Sequence, residues 1–109
     1  MAKKIYISGK ITGLSPDEVK AKFEAAETKL KEQGYDVVSP LKNGLTYNTP
    51  WIIHIILDII YLLSCDAIYL LPDWEYSKGA TLEKSVAEHT GKEVIFEEKT
   101  LKTNVYKSK

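Results

Sequence analysis

Apolar positions along the chain follow two rhythms, one of strands and one of helices. Lys4-Ile5-Tyr6-Ile7-Ser8 is short, rich in β-branched and aromatic residues and closed by Gly9, so it predicts a strand running into the loop Gly9-Lys10-Ile11-Thr12-Gly13. Ser15 before Pro16, with Glu18 three residues on, forms a capping box with proline at the first helical position. Val19, Phe23, Ala26 and Leu30 supply that helix with an apolar stripe, and Gly34 ends it. Asp36 to Ser39 predicts a second strand stopped by Pro40, followed by a polar loop from Leu41 to Asn48. Thr49-Pro50 repeats the helix-start signal. The helix from Trp51 to about Leu63 is apolar almost all round and needs cover on more than one face, for which a partner subunit is the simplest candidate. Asp66 to Leu71 is a continuous apolar run ending at Pro72, the pattern of a central parallel strand buried on both faces. After a loop from Asp73 to Lys78, Gly79 to about Thr90 has helical spacing, Gly91 closes it, and Glu93 to Phe96 makes a fourth strand.

This βαβαβαβ alternation with short connections predicts an α/β fold, a flavodoxin- or Rossmann-like three-layer sandwich around a parallel sheet of order 2-1-3-4. Residues 1–96 form the domain and 97–109 a polar tail. Thr103 to Tyr106 is a candidate fifth, edge strand in that tail, with fraying the commoner fate of such an end.

Length and charge narrow the partners. The 109 residues suit one domain, and 44% hydrophobic content suits a packed core. Fifteen Lys plus Arg balance fifteen Asp plus Glu, which removes the electrostatic drive for nucleic-acid polymers and favours a small ligand. The single Cys65 lies in an apolar run and reads as a buried structural thiol, consistent with a reducing cytoplasm. The N-terminus has no long hydrophobic signal region, and Trp51 to Leu63 is shorter than the roughly 20 residues a bilayer span requires, so neither export nor a membrane is expected. No Cys/His spacing suggests zinc, and Gly9 and Gly13 lack the third glycine and spacing of a dinucleotide fingerprint. No cofactor is expected.

In open parallel sheets ligands bind beyond the carboxyl ends of the strands, near the reversal of strand order, here between the first and third strands. Ser77-Lys78-Gly79-Ala80-Thr81-Leu82-Glu83 brings a hydroxyl and a glycine to a helix N-terminus, where free N–H groups and the dipole favour an anion such as phosphate. Glu83 lies about one turn inside that helix, and Asp58 interrupts the preceding apolar helix, so two carboxylates can converge. Each has a plainer reading. A glutamate in a first turn is commonly a solvated charge, and Asp58 has His54 one turn earlier as a candidate ion-pair partner. Trp74 and Tyr76 suit either base stacking or packing on their own domain, and Lys10 and Lys78 either phosphate contact or simple exposure.

At these residues the sequence resembles the nucleoside 2-deoxyribosyltransferase-like superfamily, and within it the small phage and bacterial proteins of class DUF4406. The resemblance runs from about Lys4 to Phe96. It includes Ile5 to Gly13, the Asp58 to Asp66 segment, Cys65 to Glu75, and Ser77 to Glu83, whose SxGxxxE pattern is the family's active-site signature. It implies that Glu83 is the nucleophile, Asp58 the companion acid, Tyr6 and Gly9 parts of the pocket floor, and Ser77 a phosphate holder, with Lys10, Ile11 and Gly79 also at the substrate. Serine where deoxynucleoside enzymes commonly carry aspartate is shared with the deoxynucleoside monophosphate N-glycosidases, which tilts the implied substrate toward nucleoside 5′-monophosphates. Some deoxyribosyl enzymes complete their pocket from a neighbouring subunit, and a homodimer or higher oligomer through residues 51–63 is expected here.

The implied chemistry is attack at a glycosidic C1′, whose oxocarbenium-like transition state a carboxylate stabilises or traps. Asp58 would hold a sugar hydroxyl or protonate the departing base, the latter aided by the tendency of a buried carboxyl to keep its proton. Water completes a hydrolase and a second base a transferase. Two other classes stay open: a non-catalytic nucleotide-binding module of the same fold, and a flavodoxin-like FMN binder.

Overall fold

The structure, a computed structural model, describes residues 2–42, 44–45 and 48–97. Four strands alternate with three helices: β1 (Lys4–Ser8), α1 (Pro16–Glu32), β2 (Asp36–Val38), α2 (Trp51–Leu63), β3 (Ala67–Leu70), α3 (Lys78–His89) and β4 (Glu93–Phe96). All pairings are parallel, and the strand order is β2-β1-β3-β4. The expected order is therefore the observed one. The candidate edge strand from Thr103 to Tyr106 lies outside the described residues.

Strand alternation separates two cores. Ile5 and Ile7 of β1, with Ala67 and Tyr69 of β3, face α1 and pack against Val19, Phe23, Ala26 and Leu30. Tyr6, Ile68 and Leu70 face the opposite way, toward Leu62 at the end of α2, Cys65 and Ala87 of α3. One helix thus covers one face and two cover the other, giving three layers. β3 is buried along its whole length, as its unbroken apolar run predicts. Cys65 is buried, and its thiol donates to the Tyr61 carbonyl at 3.3 Å.

The helix starts differ in chemistry. At α1 the Ser15 side chain accepts from the Glu18 amide and the Glu18 carboxylate takes the Ser15 amide, so both halves of the capping box form. Thr49-Pro50 does not repeat this. Pro50 itself is the N-cap of α2, with extended backbone and no side-chain cap, so Trp51 is the first helical residue. Two short 3-10 turns, Pro40–Lys42 and Trp74–Tyr76, interrupt stretches expected to be plain loop. The strand expected over Asp66 to Leu71 is shorter at both ends, Ala67–Leu70, and the Asp66 carboxylate accepts the Lys4 amide at 2.9 Å.

α2 has two faces despite its composition. Ile55, Asp58 and Leu62, spaced by three and four residues, form its buried stripe. Ile52, Ile56, Ile60 and Leu63 form the opposite stripe, each about half exposed in the single chain. No helix among the described residues is long and apolar enough to cross a membrane.

Candidate active site

Three segments meet beyond the carboxyl ends of β1 and β3: the loop after β1, the stretch after β2 leading into α2, and the turn between β3 and α3. They enclose a cleft of about 1080 Å³ that Glu83 and Asp58 both line, together with Gly9, Lys10, Ile11, Ser77 and Gly79. Both acids are buried. Glu83 faces inward because α3 presents Ala80, Glu83 and Ala87 to the sheet at helical spacing. Asp58 occupies the inward stripe of α2 between Ile55 and Leu62.

The Glu83 carboxylate is held from behind by β1. Ser8 Oγ donates to Oε1 at 2.6 Å and the Tyr6 hydroxyl donates to Oε2 at 3.1 Å. Residues two apart in a strand point to the same face, so one strand edge supplies both hydroxyls side by side. Burial pushes the Glu83 carboxyl up to about 7 and the Asp58 charge adds to the rise, while the hydrogen bonds from Ser8 and Tyr6 pull against it. Burial, then the negative charges of Glu83 and Asp58, raise the Tyr6 phenol well above its usual value, so it stays a donor. The outcome is a carboxylate fixed in position and poised near neutrality, a combination characteristic of reactive acids.

Tyr6, which the resemblance puts at the pocket floor, meets the site through Glu83. It is fully buried and lies behind Glu83 in the second core, touching the acid rather than the open cleft. Ser8, unremarked in the sequence reading except as a strand residue, makes the shorter of the two bonds to Glu83. Its signal was the same-face spacing with Tyr6. Gly9 is required by packing: a Cβ there would lie 2.7 to 3.0 Å from the Leu71 side chain. At Gly79 a Cβ would come within 3.3 Å of Ile55 Cδ1, so the start of α3 packs closely on α2.

Ser77 caps α3, its hydroxyl accepting the Ala80 amide at 3.0 Å. A serine oxygen that accepts such a bond keeps its own proton for an acceptor in the cleft. Lys78 Nζ sits 4.9 Å from the centre of the Trp51 ring at the same wall. The two loop aromatics divide: Trp74 packs on the domain, 5.8 Å between ring centres from Phe96, whereas Tyr76 is 75% exposed at the cleft wall. Among the described residues no three or more His, Cys, Asp or Glu side chains gather as a metal centre would need.

The family described as domain of unknown function DUF4406 matches residues 3–96. The chain belongs to this family. Among solved structures, the DUF4406 chain is similar to the 2-desoxiribosyltransferase from Leishmania mexicana, with TM-score 0.67 and 23% sequence identity over 86% of this chain. The match takes in 63% of that enzyme's chain, so the DUF4406 protein spans less than two thirds of its length. At this identity the likeness is one of fold: a parallel α/β sheet of order 2-1-3-4 in the nucleoside 2-deoxyribosyltransferase-like manner. A search of curated proteins gives no match.

Proposed function

We propose that this chain cleaves or transfers the N-glycosidic bond of nucleosides or nucleoside 5′-monophosphates, with Glu83 as nucleophile. One observation carries the reading: a buried glutamate, gripped by two hydroxyls, opens into a cleft that it shares with a second buried carboxyl. In the first step a Glu83 oxygen forms a bond to C1′ as the C1′–N bond breaks. The bonding electrons leave on the base, which takes the one proton that the Glu83 and Asp58 carboxyls share, held by Asp58 when Glu83 attacks. In the second, water or another base attacks C1′, the ester to Glu83 breaks, and the proton released by the attacker returns to Asp58. The grip of Ser8 and Tyr6 keeps the attacking oxygen from turning away, which is where much of the advantage of a positioned nucleophile arises.

The cleft volume lies just above the ~300–1,000 Å³ usual for small-molecule sites, enough for a nucleotide. Its acids lie at the base, while Lys10, Lys20 and Lys78 line its walls and the Ser77-capped start of α3 adds a further anion-attracting element. That polarity favours a substrate with an anionic end, hence the monophosphate. A second copy of the chain is the proposed cover for Ile52, Ile56, Ile60 and Leu63 on the outer face of α2.

The test is incubation with a panel of nucleosides and monophosphates followed by chromatography for free base. Wild type is expected to release base, and Glu83→Ala to lose several orders of magnitude in rate while staying folded. Equal activity in the two proteins overturns the mechanism. Tight binding of a nucleotide that wild type returns unchanged favours the non-catalytic module instead.

A further inference from the structure

Asp73 joins three elements around the cleft. It follows β3 and Pro72 and begins the turn that leads into α3. Its Oδ1 accepts the backbone amide of Lys10 at 3.0 Å, and its Oδ2 accepts Lys22 Nζ from α1. Lys10 and Ile11 line the cleft from one side, and Tyr76, Ser77 and Glu83, all downstream of Asp73, line it from the other. Its carboxylate therefore pins one wall of the cleft to the other. Leu71 and Gly9 support the same junction, the Leu71 amide donating to the Ser8 carbonyl at 2.9 Å while the Leu71 side chain fills the space where Gly9 lacks a Cβ.

The two bonds of Asp73 differ in what they accomplish. The Lys22 pair borders a second hollow of about 460 Å³ between α1 and the ends of β3 and β4, and its two side chains are 24% and 31% exposed. Water reaches the pair, and such pairs contribute little net stability. The Lys10 bond is of another kind. It ties down a backbone N–H in a loop with two glycines and no helix or strand of its own.

We infer that Asp73 is a positioning residue for the substrate cleft, acting through the Lys10 amide to hold the Gly9–Gly13 loop against the β3–α3 turn. The inference rests on the proposed function where it concerns substrate. The loop it fixes meets the ligand equally in ground and transition states, while Glu83 is gripped separately by Ser8 and Tyr6, so loss of Asp73 weakens binding more than turnover.

The experiment combines amide hydrogen exchange with kinetics on Asp73→Ala, Asp73→Asn and Lys22→Met. Asparagine keeps an oxygen for the Lys10 amide and removes the charge, and Lys22→Met leaves the Asp73–Lys10 bond in place. In Asp73→Ala the Lys10 amide is expected to exchange about tenfold faster or more, the loss of one charge-assisted hydrogen bond. Exchange in the β3 amides should stay near wild type. KM for a nucleoside monophosphate should rise about tenfold with kcat within a few-fold. Asp73→Asn should recover most of both effects, and Lys22→Met should resemble wild type. Unchanged Lys10 exchange in Asp73→Ala overturns the inference, as does a Lys22→Met variant that reproduces the Asp73→Ala result. The exchange measurement needs no turnover, so a wild type that releases no base defeats the proposed function while leaving this inference to be decided by the Lys10 amide.

Discussion

Replacing Glu83 with glutamine should make the protein more stable than wild type above neutral pH and leave the two nearly alike in acid. The Glu83 carboxyl moves from 4.5 to about 7 on folding, chiefly through burial. At about 1.4 kcal/mol for each tenfold change in proton affinity, keeping the charge in this site costs the fold about 3 kcal/mol. The pKa is raised, so the penalty is absent below about pH 4.5, where both states hold the proton. It grows as pH climbs to about 7 and is constant beyond. Glutamine keeps the shape without the charge, and its amide oxygen and NH₂ can each meet one of the two hydroxyls behind it. Urea denaturation of both proteins at about pH 4.5 and about pH 8 isolates the effect, because titrating groups that do not interact with Glu83 cancel between them. The gap between the two proteins should change by about 3 kcal/mol in favour of glutamine at the higher pH. A gap that does not move with pH would refute the reasoning, since it would mean that the folded protein accommodates the Glu83 charge as well as water does.

The site and the outer face of α2 yield three further expectations. Asp58→Asn removes a charge that raises Glu83, so besides slowing turnover it should move the acidic limb of the rate profile to lower pH, and a limb that stays in place would count against coupling of the two acids. Ser77→Ala should weaken monophosphates more than free nucleosides in calorimetry, and should cost about 1 kcal/mol of stability as a lost helix cap; an equal loss for both ligand classes would remove the serine from phosphate binding. Ile56→Asp with Ile60→Asp should convert a dimer to monomer by light scattering without unfolding it, and a wild type already monomeric at micromolar concentration would sink the second-copy proposal.

The sheet was legible because its signals are local and mutually consistent. Four short β-branched runs separated by three helical segments leave little choice of topology once crossovers are right-handed. The two carboxylates were legible for different reasons, Asp58 because a charge in an apolar helix needs an explanation and Glu83 because its spacing from Ser77 and Gly79 carries a family pattern. What held Glu83 was harder to read. The bond from Tyr6 to Glu83 was not readable, because alternation says which face a side chain occupies but not whether that face opens to a cleft or closes on a core. Asp73 fell inside the family resemblance but nothing marked its role: a lone loop acid has no periodicity, and its partners are 51 and 63 positions away in the chain. The start of α2 was misread in chemistry, since Thr-Pro resembles Ser-Pro in sequence although only Ser15 makes the cap.

The position of β1 has a consequence for how the molecule comes into being. Of the four strands in this sheet it is the first to be synthesised, yet it ends between β2 and β3, with Ile5 aligned to Val37 on one side and Ala67 on the other. Its second edge therefore stays open until the chain has grown past β3, and the hydroxyls of Tyr6 and Ser8 wait longer still for the glutamate on α3. At ribosomal speeds of about 5–20 residues per second, that interval lasts seconds, during which an apolar strand edge of the kind that invites misassembly is exposed. Parallel pairing across such separations also slows the closing step compared with helical proteins of equal length, because loop entropy must be overcome before any contact rewards it. The arrangement that centres the support of Glu83 in the sheet thus makes that support among the last parts of the structure to form.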